Sequence, residues 1–311
     1  MNHPERIAII DCGTNTFNLL IADVFEGGWK TIFTTKIAVK LGIGGFGQGV
    51  IRPERMARAI DALRSHSNTL LNFGVKKHLT FATSALREAE NGKELVNDAK
   101  SLFGLDIRII DGDKEAELIY KGVTQSIDFE SATWTIIDIG GGSTEFIICT
   151  KDEILWKASF QLGVSRLFEQ LEPDDPILPE QVERLFDHVK TVLAPLENAL
   201  SKIECHKLIG SSGSFDSVLS LLAQNHPDRY VRDEAKSHAL QINDFIELHN
   251  QLLISTRNER LKMKGLQPIR ADYIVLATLL ITYVLKELGF TELWQSEYAL
   301  KEGAIWEAIY E

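Results

Sequence analysis

The 311-residue sequence is poor in cysteine, with three residues at positions 12, 149 and 205. They are odd in number, far apart and free of any C-x-x-C pair, which argues against a disulfide framework and for a reduced, cytoplasmic setting. Long hydrophobic runs are missing as well. The longest, Tyr273 to Leu285, is too short to span a bilayer and reads as a buried helix. The N-terminus has no apolar signal region. Positive charge is in deficit, with 33 Lys and Arg against 44 Asp and Glu and a net charge of −11. That balance argues against non-specific binding to nucleic acid or to a membrane surface. No G-x-x-x-x-G-K-[ST] segment occurs, so the lysine-bearing phosphate loop of that type is excluded.

What is present is a soluble globular composition, 44% hydrophobic and 25% charged, in a chain long enough for two domains with their own cores. The chain is organised around Trp134 to Ile148, WTIIDIGGGSTEFII. An apolar run ends on Asp138, three glycines follow, then Ser143, Thr144, Glu145 and a second apolar run. Three consecutive glycines weaken any strand or helix they sit inside, so they mark a tight turn between two strands. Such a turn bares backbone N–H groups, and Gly140, Gly141 and Gly142 with the Ser143 and Thr144 hydroxyls form a wrapping surface for phosphate. Asp138 and Glu145 repel phosphate and are placed to hold Mg²⁺ or a water.

Residues 7–20, IAIIDCGTNTFNLL, repeat the plan. An apolar run reaches Asp11, and Gly13, Thr14, Asn15 and Thr16 turn the chain into a new apolar run. Two such hairpins predict two similar halves facing each other across a cleft.

The pair DCGTNT and DIGGGSTE resembles the two phosphate loops of the actin, Hsp70 and sugar-kinase superfamily. Within it, VKLGIGG (39–45), TSALREAENG (83–92), DGDKEAELIYKGV (111–123), IGSSGSFDSV (209–218), GLQPIRADYIV (265–275) and EYALKEG (297–303) are similar, in order, to the exopolyphosphatase and guanosine pentaphosphate phosphohydrolase family. The resemblance implies an α/β protein of two ribonuclease H-like, actin-like ATPase domains, 1–127 and 128–311, with a cleft between them. It implies hydrolysis of a terminal phosphoanhydride, with Mg²⁺ or another divalent metal at Asp138 and Glu145, joined by Asp11. The implied partners are inorganic polyphosphate or guanosine pentaphosphate, with a homodimer left open. A different class of reading, an actin-like nucleotide-binding switch with slow hydrolysis, stands beside it.

Three further residues gain their roles from the resemblance. Lys40 ends the third strand, where charges usually stay in solvent; the family more often has arginine there and uses it for phosphate. Arg87 lies in the first turn of a helix capped by Thr83 or Ser84, where by itself it reads equally as a salt-bridge partner or a phosphate contact; the resemblance implies phosphate contact. Glu115 sits at the edge of the apolar stripe Ala116, Ile119, Tyr120, Val123 of a helix over 113–127, apart from the opposite face of Lys114, Glu117 and Lys121. On periodicity alone it is an ordinary boundary glutamate. By resemblance it is the glutamate that activates water, while Lys114 and Glu117 stand where the family usually has an acid and an arginine. The segment GSSGSFDS (210–217) reads as a third glycine–hydroxyl loop before a helix.

Overall fold

The computed structural model describes residues 5–45, 48–130, 132–231 and 234–310. Positions 46–47 of the glycine-rich loop after Lys40 therefore lie outside the described residues. The chain divides into two compact units, Met1–Gly122 with Leu300–Glu311, and Val123–Ala299.

In the first unit, strands β1 (Glu5–Cys12), β2 (Thr16–Phe25) and β3 (Gly28–Ala38) form an antiparallel meander, and β4 (Lys77–Ala82) and β5 (Ile107–Ile109) run parallel to β1. The order is β3-β2-β1-β4-β5. The sheet forms where the sequence alternates or runs apolar, and Ile7, Ile9, Ile10, Phe17, Leu19 and Leu20 are fully buried. Helix Pro53–Asn72 takes its proline in the first turn, and Gly74 follows its end at φ +65°.

The second unit repeats this plan. Strands β6 (Trp134–Ile139), β7 (Thr144–Cys149) and β8 (Ile154–Phe160) are the antiparallel meander. Strand β9 (Lys207–Ser211) runs parallel to β6, β11 (Glu292–Ser296) runs parallel to β9, and β10 (Ser237–Leu240) closes the edge. The order β8-β7-β6-β9-β11-β10 is the first sheet with one strand added. Two sheets of this kind, each flanked by helices, are ribonuclease H-like folds. The apolar run 273–285 is the core of helix Ile274–Glu287, buried along nearly its whole length. No helix among the described residues is long and apolar enough to cross a membrane.

Two boundaries differ from the sequence reading. The C-terminal helix Leu300–Tyr310 belongs with the first unit, not with 128–299, because its residues Leu300, Gly303, Ala304 and Ile305 bury themselves against that unit, β1 included. The helix expected over 113–127 runs over Gly112–Val123. Beyond it the chain turns, with Ser126 N–H and hydroxyl both donating to the Val123 carbonyl.

Candidate active site

The two glycine turns are built alike. Gly13 N–H donates to Thr16 O at 3.1 Å, and Gly140 N–H donates to Ser143 O at 3.0 Å. In each, a short turn joins the ends of two antiparallel strands, with Cys12 opposite Phe17 and Ile139 opposite Thr144. The residue before each turn's last strand pair is an acid, and its cross-strand partner lies seven positions on. Asp11 faces Asn18, and Asp138 faces Glu145.

Loop 13–16 is clamped from below by the chain after β3. Val39 and Lys40 N–H groups donate to Asn15 O at 2.9 and 3.0 Å, and Leu41 N–H donates to Thr14 O at 2.7 Å. This leaves Lys40 half-buried in a left-handed conformation, φ 52°, beside the turn. Thr14 and Asn15 are buried and Thr16 is half-buried.

Loop 140–144 is held by the start of helix Val164–Leu171. The carbonyls of Gly140, Gly141 and Gly142 accept from Val164 N–H, from Ser165 and Arg166 N–H, and from Arg166 Nε, respectively. With the carbonyls turned toward that helix, no described internal bond uses the N–H groups of Gly141, Gly142 or Ser143, so this turn offers backbone donors to an anion. Gly163 permits this approach, since a Cβ there would fall 2.3 Å from the Gly142 carbonyl carbon and 2.4 Å from that of Gly141. The Thr144 hydroxyl is directed elsewhere: it is fully buried and donates to Leu162 O at 3.0 Å, so within this loop the side-chain donor is Ser143.

Asp138 and Glu145 are both buried, at 5% and 1% exposure. Ser211 and Ser212 hydroxyls donate to Asp138 Oδ2 at 2.7 and 2.6 Å, and Ser159 Oγ donates to Glu145 Oε1 at 2.7 Å. The third glycine–hydroxyl loop thus serves the Asp138 carboxylate, and Ser212 does so at φ 67°, in the left-handed region. Two carboxyl groups directly opposed on neighbouring strands, with Cβ atoms about 5 Å apart, repel one another when both are ionised. Mg²⁺ is held through one or two carboxylates with waters and substrate phosphates, and this pair fits that demand. No cluster of three or more His, Cys, Asp or Glu suited to a metal occurs among the described residues. Asp11 is differently placed: its partner Asn18 donates to Asp11 Oδ2 at 2.9 Å, so this acid already has a neutral amide beside it.

Sequence reasoning missed Arg270. Its guanidinium packs against Gly213, and Asp216 and Asp138 lie close enough to act on it electrostatically. Burial pulls the Arg270 guanidinium below its ordinary value, and the two carboxylates oppose that pull. Its sequence stretch, GLQPIRADYIV (265–275), gives no partner for it.

In the first unit Glu115 is buried, at 7% exposure, in the first turn of helix Gly112–Val123. Arg87 Nη1 donates to Glu115 Oε2 at 3.0 Å and to Ile110 O at 3.0 Å. The salt bridge expected as one reading of Arg87 is therefore present, with Glu115 as its partner. Both bonds use Nη1, and no described bond uses Nε or Nη2. The opposite face of the helix is not simply solvated, as its charge pattern suggested. Lys114 and Lys121 both donate to Glu307 Oε2 at 2.6 Å, and Lys114 lies 3.8 Å from Glu117. The C-terminal helix covers this face, a partner some 190 residues away that helical counting cannot supply.

Two ribonuclease H-like units, each with a glycine–hydroxyl turn beside an acid, define an α/β protein whose turns are shaped for phosphate. The chain belongs to the Ppx/GppA phosphatase family, whose sequence model matches residues 20–310. It is similar to an exopolyphosphatase from Cytophaga hutchinsonii of known crystal structure, with 39% identity, 98% of each chain covered and a TM-score of 0.95. Exopolyphosphatase 2 of Mycobacterium tuberculosis is 29% identical over 96% of this chain and 97% of its own length. The guanosine-5'-triphosphate,3'-diphosphate pyrophosphatase of Vibrio atlanticus is 27% identical over 99% of this chain and 60% of its own length.

Proposed function

We propose that the chain is a cytoplasmic exopolyphosphatase, a hydrolase that removes the terminal phosphate of inorganic polyphosphate by attack of water on the end phosphoanhydride. The observation that carries this reading is the buried Glu115 carboxylate held by Arg87 at 3.0 Å. A base for water and a guanidinium for phosphate charge stand side by side. In this reading Glu115 accepts the proton of the attacking water. Arg87, through its remaining N–H groups, and Lys40 offset charge on the phosphate oxygens. The turn 13–16 and the N–H groups of 141–143 hold phosphate groups in place, so that positioning and electrostatics supply most of the acceleration. Asp138 and Glu145 are the residues that would hold Mg²⁺, which when bound supplies positive charge to the phosphate oxygens. Asp11, hydrogen-bonded by Asn18, is a weaker ligand in the same reading. Three buried, free cysteines accord with a reducing cytoplasm.

The similarity to the Vibrio atlanticus enzyme supports a second substrate, guanosine pentaphosphate, with the same bond type broken at its 5′ end. Orthophosphate release measured side by side on long-chain polyphosphate, guanosine pentaphosphate and ATP tests both readings. Polyphosphate is expected to give the highest kcat/KM. A preference for guanosine pentaphosphate would replace the first reading by the second. Release from ATP alone, or tight nucleotide binding with negligible turnover, would instead support a nucleotide-dependent switch.

A further inference from the structure

The C-terminal helix Leu300–Tyr310 touches two elements of the first unit that matter for chemistry. It lies against β1, whose end leads into the 13–16 turn, and against helix Gly112–Val123, which carries Glu115. The second contact is unusually close. A Cβ on Gly303 would fall 1.7 Å from Leu118 O and 2.8 Å from Gly122 N, so the two helix backbones meet there with no room for a side chain. One turn further on, Glu307 Oε2 accepts from Lys114 Nζ and Lys121 Nζ, each at 2.6 Å. Those lysines are seven residues apart, two turns of the helix, so one carboxylate spans the segment on which Glu115 sits. Lys121 Nζ also lies 5.6 Å from the centre of the Trp306 ring. The backbone contact sets the distance between the helices, and the carboxylate clamp sets their rotation and register.

We propose that Glu307 is a positioning residue: by clamping Lys114 and Lys121 it fixes the rotation of helix 112–123, and through it the aim of Glu115 at the phosphate held by the 13–16 turn. The inference rests on Glu115 being the base of the proposed reaction. Its energetic basis is local. Burial works to raise the Glu307 carboxyl, and the two lysines overcome this and hold it below the ordinary glutamate range, so the clamp is charged at neutral pH. A general base misplaced by a fraction of a hydrogen-bond length loses rate while the substrate still binds.

The test is a double-mutant cycle on the full chain, reading kcat and KM for phosphate release from polyphosphate. Glu307→Gln is expected to lower kcat about 10-fold, with KM unchanged, at a temperature where circular dichroism shows the variant folded. In the Glu115→Gln background the same change is expected to have no further effect on kcat, because Glu307 acts through Glu115. Lys121→Met, which keeps an apolar stem against Trp306, serves as the second arm and is expected to give the same pattern if Glu307→Gln does not fold. A lowered Tm with kcat untouched in either folded variant, or equal loss in both backgrounds, overturns the positioning role. Near wild-type turnover in Glu115→Gln alone overturns the base assignment instead, and the two failures are thereby told apart.

Discussion

Glu145 stands directly across β6 and β7 from Asp138, whereas at the equivalent place in the first unit Asn18 stands across from Asp11. The two pairs occupy matching positions in matching hairpins, yet they have opposite electrostatic characters. Asn18 donates a hydrogen bond to Asp11 and leaves one net charge. Asp138 and Glu145 bring two carboxyl groups to one face of the sheet, both buried, with serine hydroxyls donating to each and the Arg270 guanidinium acting on Asp138. The repeat has therefore diverged at this pair.

Metal dependence is accordingly expected to follow the second pair. Glu145→Gln should raise the Mg²⁺ concentration needed for half-maximal phosphate release by roughly 10-fold or more, in line with the usual cost of disturbing a metal's supporting groups. Asp11→Asn should shift it far less. A Mg²⁺ titration curve shared by wild type and Glu145→Gln, or full activity in excess chelator, would sink the assignment.

Restoring the family's usual residues on the far face of helix Gly112–Val123 is expected to cost stability. Lys114→Glu places a second acid beside Glu307, which loses one of its two lysine donors. A partly exposed pair of this kind is worth about 1 kcal/mol at most, so the urea midpoint should fall by a corresponding small amount. Pairing the change with Glu117→Arg should recover part of it, since positions 114 and 117 are one turn apart. An unchanged midpoint for Lys114→Glu would mean that the contact with Glu307 contributes nothing in solution.

The glycine loop should be sensitive to a residue outside it. In Gly163→Ala the new methyl would overlap the backbone of Gly141 and Gly142. Overpacking of this kind costs about 1–3 kcal/mol, and relief by shifting the loop would turn its N–H groups away from a phosphate. The variant is expected to show a raised KM for polyphosphate together with a lowered Tm. A wild-type KM would show that the 140–144 loop does not bind the substrate.

Much of this was legible in the sequence because its causes are local. Apolar runs, a terminal acid and glycines mark both hairpins within fifteen residues, and the seven-residue spacing of Asp11–Asn18 and Asp138–Glu145 was there to be counted. The remainder depends on distant contacts. Arg270 meets Gly213 from 57 positions away. Lys114 and Lys121 read as a solvated face until Glu307 arrives from the far end of the chain. The Thr144 hydroxyl reads as a phosphate donor until strand packing turns it to Leu162 O. Composition and spacing describe what a segment can do alone, and in each of these three cases a tertiary partner decides between its options.

Stability should fall on mild acidification for a reason unrelated to catalysis. Burial, with Lys286 nearby, holds the His249 imidazole down at about 4, and burial lowers His66 despite the carbonyl of Phe17. His249 stacks on Phe245, and its Nδ1 has no described partner. A base with a lowered folded value binds its proton in the unfolded chain first. The unfolded state is therefore favoured as pH falls from about 6.5 toward 4. For His249 this amounts to about 2 kcal/mol between pH 7.5 and 5. Urea unfolding at those two pH values should show the loss, and His249→Gln should flatten it. An equal slope in the variant would assign the effect elsewhere.

The decisive prediction concerns Glu115. A positioned general base contributes about 10²–10⁴-fold in rate, so Glu115→Gln should lower kcat on the best substrate by that amount. Glutamine keeps the length and shape of the side chain and still hydrogen-bonds, so Arg87 loses an ionic partner but not its place beside Ile110 O. Substrate binding should hold or tighten slightly, because one negative charge near a polyanion is gone while the Arg87 charge, no longer offset, turns wholly to phosphate. The signature is thus a large fall in kcat with KM unchanged or lower, at a Tm close to wild type. Arg87→Met should give the complementary pattern, a raised KM with kcat also reduced, since both the phosphate contact and the hold on Glu115 are lost. If Glu115→Gln turns over near the wild-type rate, the proton goes elsewhere. Glu145, the other buried glutamate beside a phosphate turn, then becomes the candidate base, and its role toward the metal must be given up.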